Sequence, residues 1–337
     1  MGLFRVFVLE YFFLRVKSVW YFHLDDSNEC RTDYYYGRTV YYDECGRRCR
    51  CVGGKLAQCC RLRKEFTDIS FSERVRYINT VKTASTHPTY KARYEALLTN
   101  HKTIFFSNIH QLDFFLPWHR WFILQYENLL REIDCRVTVP YWDWSLAAAN
   151  PLSSDVWNPG PHGLGGDGSG SPSCVRTGPF RAGVWSVIAS AGGGCLTRNF
   201  NGRAPDAVAV RDLILQNSAA SQFIDFEFLL RRQFHDIVHC VIDGIMCSLD
   251  SASAPEFFLH HGFVDKIWWD WQKQSNEHKF NEYFLDQTAI MPSTPYRSRA
   301  FLDLQNQPGD VCADYVDPRS RTFTAIQGLL SLQYIFF

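Results

Sequence analysis

The chain has 337 residues, of which 46% are hydrophobic and 21% charged, and this composition predicts a packed globular core. Lys plus Arg and Asp plus Glu both number 35, so the formal net charge is zero. This balance argues against a nucleic-acid-binding protein, which would need a strongly basic face.

The first 29 residues form an apolar segment that charged residues interrupt. Arg5, Glu10, Arg15 and Lys17 break the apolar run, so it lacks the uninterrupted core and small-residue cleavage site of a signal peptide. The same charges are unsuited to a membrane-spanning helix, and we predict no membrane span. We interpret residues 1–29 as an apolar leader that matches neither class.

Half of the twelve cysteines fall within residues 30–60, with C-x₃-C, C-x-C and adjacent-pair spacing. Structural zinc sites usually repeat C-x₂₋₄-C pairs at a distance, so this spacing favours disulfides over zinc. We therefore predict a small N-terminal Cys-rich disulfide module at residues 30–66. Because disulfides persist in oxidising compartments, we also predict a secreted, extracellular protein.

Helical patterns dominate most of the remaining sequence. Thr67 or Ser70 can cap a first helix, and Glu73 follows Ser70 at capping-box spacing. Residues 150–220 are rich in Gly, Pro and Ser and are predicted mostly as long loops. Apolar periodicity predicts four further helices, at residues 91–102, 119–134, 234–242 and 255–274. Pro255 suits the first position of the last helix.

Seven of the eleven histidines fall into two groups near these helices. The first group comprises His101, His110 and His119. The second comprises His235, His239, His260 and His261. Pro117 indicates that His110 lies on a loop and that His119 opens the next helix, whereas His235 and His239 share a helix face.

A single histidine in an apolar helix is usually a core or surface side chain, and one i, i+4 pair often arises by chance. Several helical histidines framed by aromatic residues, together with a loop histidine, instead favour a metal site. Two neighbouring metals with only imidazole ligands favour copper that handles oxygen over hydrolytic zinc.

Two segments resemble the copper-binding signatures of the type 3 copper proteins, which include tyrosinases, catechol oxidases and haemocyanins. They read "FFLPWHRWFILQYENLL" and "SAPEFFLHHGFVDKIWWDW", and "FHDIVH" supplies the H-x₃-H of the second signature. "VPYWDWS" also resembles the family. The Cys-rich lead-in "CGRRCRCVGGKLAQCCRLRKEFT" is similar to that of secreted molluscan tyrosinases. The resemblance covers about residues 30–315.

The resemblance implies two copper ions, each held by three histidines. The first ion would take His101, His110 and His119. The second ion would take His235, His239 and His261. His87 is the rival of His101, and His260 would be a neighbour near the site. Haemocyanins and fungal enzymes carry a thioether-linked Cys two residues before the second ligand, where this chain has Asn108.

The resemblance also implies the fold: a mainly α protein whose four-helix bundle houses the dinuclear copper site, with long loops and the Cys-rich module. The expected parts are residues 1–29 (leader), 30–66 (Cys-rich module), 67–315 (tyrosinase copper-binding domain) and 316–337 (tail). Arg120 and Asp265 would pair across the two copper helices, and Phe257 would pack near the copper pair. Cys174 and Cys195 are a candidate local disulfide.

The implied function is oxidation of o-diphenols, and of monophenols more slowly, to o-quinones with O₂. The substrates would be small-molecule phenols or protein tyrosines, and the outcome pigment formation or cross-linking of extracellular matrix. The alternatives are a haemocyanin-like oxygen carrier and a structural matrix protein with an inactive site.

Two carboxylates are candidate catalytic residues. In tyrosinases that attack monophenols, an Asn often follows the first ligand of the second copper, and with a nearby Glu it holds a proton-accepting water. Here Asp236 follows His235, and Glu227 is the candidate Glu. Asp236 would accept the proton itself, share a proton with Glu227 in a weaker base, or only orient His235.

Overall fold

The computed structural model describes residue 30 and residues 40–111, 114–280 and 286–319. The predicted leader at residues 1–29 and most of the predicted tail at residues 316–337 lie outside the described residues. Within the described part of the chain, no helix combines the length and apolar composition needed to cross a membrane.

Helices make up most of the regular structure, and the predicted mainly α fold is confirmed. The helices are α1 (Phe71–Thr86), α2 (Pro88–Thr103), α3 (Phe115–Ile133), α4 (Ala207–Gln216), α5 (Phe223–Leu229), α6 (Asp236–Ile242), α7 (Phe257–Gln272) and α8 (Asn276–Phe280). A π-helical segment, Leu230–His235, joins α5 to α6. Short 3₁₀ helices lie at Trp144–Ala147, Pro151–Ser153, Asp155–Trp157, Ala189–Ala191, Ala220–Gln222, Gly244–Cys247, Ser251–Ser253 and Ser298–Phe301.

The first two helices are capped by side chains. Ser70 and Glu73 form the predicted capping box at the start of α1. His87 stands between α1 and α2, where its exposed side chain accepts a hydrogen bond from the Thr89 N–H at 3.3 Å. His87 therefore caps α2 at the surface, away from the buried histidines.

The starts of α3 and α7 differ from the predicted positions. α3 begins at Phe115, one turn before His119, so the prediction that His119 opens the helix is wrong. Pro117 lies within the first turn, where its missing N–H has no intrahelical partner to lose. α7 begins at Phe257 rather than at Pro255, which lies outside the helix.

The two ends of the described chain meet in one four-stranded sheet with the order β1-β2-β3-β6. Its strands are β1 (Tyr41–Tyr42), β2 (Arg48–Val52), β3 (Lys55–Arg63) and β6 (Cys312–Tyr315), and a separate hairpin consists of β4 (Gly168–Ser169) and β5 (Cys174–Val175). β1–β2 and β2–β3 are antiparallel, whereas β3 and β6 are parallel. β6 belongs to the predicted copper-binding domain and β1 to β3 belong to the predicted Cys-rich module, so the sheet extends across the boundary drawn at residue 66. That boundary remains a prediction.

All twelve cysteines form disulfides: Cys30–Cys51, Cys45–Cys135, Cys49–Cys59, Cys60–Cys312, Cys174–Cys195 and Cys240–Cys247. The predicted disulfide-rich N-terminus and the candidate pair Cys174–Cys195 are confirmed. Cys45–Cys135 and Cys60–Cys312 span 90 and 252 residues and attach the Cys-rich segment to the remainder of the fold.

A buried ionic network joins the sheet to α3 and α7. Arg120 of α3 contacts Asp265 of α7, with Nε 2.7 Å from Oδ1, which confirms the predicted pair. The Tyr315 hydroxyl of β6 donates to Asp265 Oδ2 at 2.6 Å. Arg63 of β3 lies 3.4 Å from the same oxygen. The network therefore fixes the register of two helices that carry histidines.

Candidate metal centre

Four helical segments bring six histidines together in the core. α2 contributes His101, α3 contributes His119, the π–α6 segment contributes His235 and His239, α7 contributes His261, and the turn after α2 contributes His110. Two groups have potential ligand atoms within 4.8 Å of one another: His101, His110 and His119, and His235, His239, His260 and His261.

In the second group, three Nε2 atoms form a nearly equilateral triangle. Nε2 of His235 lies 3.1 Å from that of His239, and Nε2 of His261 lies 3.2 Å from each. An imidazole nitrogen binds a transition metal at about 2 Å, so an ion slightly above the centre of this triangle would contact all three. The second trio, defined as His235, His239 and His261, thus fits one metal ion.

Hydrogen bonds determine which ring nitrogen of His235 and His239 is free. Nδ1 of His239 lies 2.7 Å from the Met246 carbonyl oxygen, which only accepts, so this nitrogen carries the proton. Nδ1 of His235 lies 2.8 Å from Asp236 Oδ1 and donates in the same way when the carboxylate is ionised. The Nε2 lone pairs therefore face each other, and a cation between them removes their repulsion.

The first trio, defined as His101, His110 and His119, shows the same chemistry. His119 donates through Nδ1 to the Phe115 carbonyl at 2.7 Å, and His110 lies 3.2 Å from that of Phe105. Nε2 of His119 and both nitrogens of His101 are buried without a hydrogen-bond partner among the described residues. Buried nitrogens without a partner are costly, and metal coordination would satisfy them.

The two trios adjoin each other. The rings of His119 and His261 are stacked, with centroids 4.5 Å apart and planes inclined by 14°. The rings of His110 and His235 lie 6.2 Å apart. This separation suits two neighbouring metal ions rather than two independent sites.

His260 belongs to the second group, but its tautomer differs from that of the second trio. The indole Nε1–H of Trp144 donates to Nδ1 of His260 at 3.2 Å, and an indole nitrogen cannot accept. A neutral His260 therefore carries its proton on Nε2. Binding a metal through Nε2 would require this ring to give up the Trp144 hydrogen bond.

Burial keeps the imidazoles neutral. Desolvation lowers the pKa of His110 and of His239 to about 4. It also lowers the pKa of several other rings well below the usual range, namely His101, His119, His235, His260 and His261. At neutral pH these groups present lone pairs, which is the form that binds metal ions.

Aromatic rings enclose the histidines. Phe257 stacks on His261 with centroids 4.0 Å apart, as expected from the sequence, and also lies 5.1 Å from His101. Phe122 stacks on His101 at 5.7 Å, and Phe115 meets His235 edge-on at 4.8 Å. These contacts exclude water and restrict the ligand rings.

A cavity of ≈ 530 Å³ opens beside both trios, and its lining includes Phe105, His110, His235, His239, Arg231, Arg232, Asp236 and Leu249. This volume is in the range of small-molecule pockets. The cavity gives an aromatic ligand a path to His110 and His235, which belong to different trios.

The two candidate carboxylates each pair with a different arginine. Asp236 contacts Arg232 at 2.5 Å, and buried Glu227 contacts Arg231 at 2.6 Å. Burial raises the pKa of Asp236, and the two guanidinium groups oppose this shift. Desolvation therefore raises the pKa of Asp236, and a shared proton with Glu227 is not needed to account for the shift.

Four contacts of the site were not predicted from the sequence. They are the bond from Trp144 to His260, the Met246 carbonyl at His239 and the arginine partners of the carboxylates. Both ion pairs, Glu227–Arg231 and Arg232–Asp236, have the i, i+4 spacing that a helical sequence signals. A backbone carbonyl leaves no signal in the sequence.

Comparison with known proteins gives a consistent result. Residues 79–274 match the family model described as the common central domain of tyrosinase. The chain is 31% identical over 235 residues to a tyrosinase of Streptomyces lincolnensis, covering 63% of this chain and 83% of that protein. It is 32% identical over 204 residues to a tyrosinase of Streptomyces antibioticus, covering 54% and 73% respectively.

Two solved structures share the fold. A polyphenol oxidase from Thermothelomyces thermophila superimposes with a TM-score of 0.60 at 23% identity, covering 77% of this chain and 89% of that chain. A functional unit of octopus hemocyanin superimposes with a TM-score of 0.53 at 17% identity, covering 80% and 73%. At these identities the superpositions establish the fold alone.

Proposed function

Because this chain belongs to the tyrosinase family, we propose that it is a copper-dependent phenol oxidase that converts o-diphenols to o-quinones with O₂. The observation that carries the proposal is the pair of adjoining histidine trios, with Nδ1 hydrogen bonds that leave Nε2 free. Such clusters suit a binuclear copper site. Monophenols are proposed as slower substrates.

The proposed ligands are the first trio for one copper and the second trio for the other. His260 is proposed as a neighbour rather than a ligand, because the Trp144 N–H occupies its Nδ1 lone pair and leaves the proton on Nε2. The position of His87, which caps α2 at the surface, favours His101 over it as the ligand. His101 is supported by its complete burial and by its two nitrogens without partners among the described residues.

When bound, copper would supply the O₂ binding and the electron transfer. A diphenol loses two electrons and two protons as its quinone forms, and O₂ is the acceptor. The chain provides the cavity that admits the phenol and the rings of Phe115 and Phe257 that restrict the ligand histidines. Asp236, which lines the cavity, is proposed as a weak acceptor of the phenolic proton, because its carboxylate is already shared with His235 and Arg232.

Glu227 is proposed to act on the reaction indirectly. Its buried carboxylate pairs with Arg231, which also lines the cavity. This pair would keep Arg231 beside His110, where a cation disfavours protonation of the ring and so preserves the ligand form. Glu227 is therefore a proposed positioning residue rather than a base.

Secretion is part of the proposal. Six disulfides within one chain are typical of proteins that mature in an oxidising compartment. The Cys-rich lead-in also supports a closer relation to secreted molluscan tyrosinases. Pigment formation or cross-linking of an extracellular matrix would follow from quinone release.

The second candidate function is reversible O₂ carriage, since the chain shares the fold of a hemocyanin functional unit. To separate the two, the copper-loaded protein is given L-DOPA and L-tyrosine in parallel, and O₂ consumption is recorded. Stoichiometric O₂ consumption with quinone formation supports the oxidase. Copper-dependent O₂ binding without consumption would replace it with the carrier, and consumption with L-DOPA alone would identify a catechol oxidase.

The histidine assignment is tested in the same assay. His101→Asn is expected to abolish oxidation, and the matched variant His87→Asn is expected to retain it, because only His101 lies in the buried cluster. The reverse result would exchange the two residues in the first trio.

A further inference from the structure

The loop that follows α6, defined as residues 243–247 and including the 3₁₀ helix Gly244–Cys247, is anchored at its start on a neighbouring strand-like segment. Gly244 has a φ of +57°, and a Cβ at this position would lie 2.3 Å from the Thr197 carbonyl oxygen. The N–H of Ile245 donates to the same oxygen at 3.2 Å. Glycine is therefore required at this first anchor, which holds the chain against Thr197.

The second anchor is a disulfide at the mouth of the cavity. Cys247 ends the 3₁₀ helix and is bonded to Cys240, the residue that directly follows His239. Both cysteines are exposed, and both line the cavity beside the trios. The bridge closes a separation of only 7 residues, so its effect on the unfolded chain is small compared with that of a long loop.

Met246 lies between the two anchors. Its side chain is buried, and its carbonyl oxygen accepts the Nδ1–H of His239 at 2.7 Å. This bond sets the tautomer and the direction of the His239 ring, so that Nε2 faces the other two members of the second trio. Any shift of the loop would move this carbonyl away from the ring.

We propose that the Cys240–Cys247 disulfide is a positioning element for the second metal subsite. By fixing the end of the loop, as the contact with Thr197 fixes its start, it holds the Met246 carbonyl against His239 and keeps Nε2 directed at the ion. This inference rests on the proposed copper-binding function. It assigns to an exposed, short-range disulfide a local role in metal retention rather than a role in global stability.

The test compares copper release from holoprotein variants. Copper transfer to an excess of a chromogenic Cu(I) chelator is recorded for the wild type and for the double variant Cys240→Ser/Cys247→Ser. Loss of a hydrogen-bonding partner behind a ligand typically lowers metal affinity 10- to 100-fold. We therefore expect one of the two ions to leave at least about tenfold faster and the other to leave at the wild-type rate.

The matched control is Cys49→Ser/Cys59→Ser, which removes a disulfide of similar span, 10 residues, from the β2–β3 hairpin of the N-terminal sheet. Both ions should leave this control at the wild-type rate. Equal acceleration in the two double variants, or none in Cys240→Ser/Cys247→Ser, would overturn the inference. Wild-type protein that binds no copper would instead overturn the proposed function.

A second variant tests the opposite anchor. Gly244→Ala introduces a Cβ against the Thr197 carbonyl and so displaces the start of the loop. The same single ion should leave faster while the circular dichroism spectrum stays that of the wild type. A folded Gly244→Ala protein with unchanged release, or a bridge variant that fails to fold at all, would show that the loop does not act locally on His239.

Discussion

The indole N–H of Trp144 donates to Nδ1 of His260 at 3.2 Å, and both side chains are fully buried beside the second trio. The donor fixes the proton of His260 on Nε2. A fourth imidazole thus lies next to the proposed copper site in a tautomer that keeps its Nε2 lone pair from a metal ion.

Trp144→Phe is therefore expected to impair phenol oxidation. Without the donor, the proton of His260 can move from Nε2 to Nδ1. The Nε2 lone pair then faces the second trio and competes for the open coordination position on the copper ion. We expect a loss of about tenfold or more in kcat for L-DOPA, together with an altered copper X-ray absorption spectrum of the Cu(II) form, because an added imidazole ligand changes the copper environment.

The control for this variant is Trp142→Phe, which removes another buried indole donor, bonded to Ser154 Oγ at 3.1 Å. It should leave the Cu(II) spectrum unchanged. Identical spectra for all three proteins would show that His260 is kept off the metal by some other constraint.

The Arg120–Asp265 pair should contribute strongly to stability. Arg120 is fully buried, contacts Asp265 at 2.7 Å and stacks at 3.7 Å over the Trp268 ring. Arg120→Lys loses the planar fork and leaves acceptors unpaired, so we expect a loss of about 3–5 kcal/mol in the free energy of unfolding. Arg93→Lys, at an exposed ion pair with Glu132, should cost less than about 1 kcal/mol in the same urea titration.

Glu127 should make stability depend on pH in the acid range. Burial alone would raise its pKa, but the guanidinium groups of Arg63 and Arg61 outweigh this and hold the pKa at about 2. An unfolded Glu binds its proton near pH 4.5, so the stabilisation is present above that pH and is lost as pH falls toward 2.

The expected loss is about 3 kcal/mol over this interval. The free energies of unfolding of the wild type and of Glu127→Gln are measured in urea at several pH values from 5 to 2. The two values should approach each other as the pH falls. A difference that stays constant with pH would mean that Glu127 titrates normally in the folded protein.

Asp236 should influence the choice between phenols. Its carboxylate is shared between His235 and Arg232, which weakens it as a base for the phenolic proton. Asp236→Asn is expected to raise the ratio of the initial rate on tyramine to that on dopamine. The substitution introduces the residue that tyrosinases attacking monophenols often carry at this position. A ratio that is unchanged or lower would exclude Asp236 as the group that limits hydroxylation.

Much of the fold could be predicted because its signals are local. The Ser70–Glu73 capping box, the amphipathic α3 and the disulfide-rich N-terminus all depend on nearby residues. The family resemblance supplied the arrangement of the four helices. The Arg120–Asp265 pair was also expected from it and is present.

The remainder depends on tertiary placement that spacing does not encode. Pro117 was expected before the start of α3, but a helix tolerates proline throughout its first turn. The parallel pairing of β3 with β6 joins segments more than 200 residues apart, and the Cys60–Cys312 bridge spans 252. The carbonyl of Met246 became visible as a partner of His239 only in three dimensions.

The proposed function depends on two adjoining trios that each hold one copper ion. The most direct measurement is anomalous diffraction at the copper edge from crystals of the copper-loaded protein. We predict two peaks, one about 2 Å from Nε2 of each member of the second trio and the other bound in the same way by the first trio. A single peak, or a copper ion bound by His260 or His87, would contradict it.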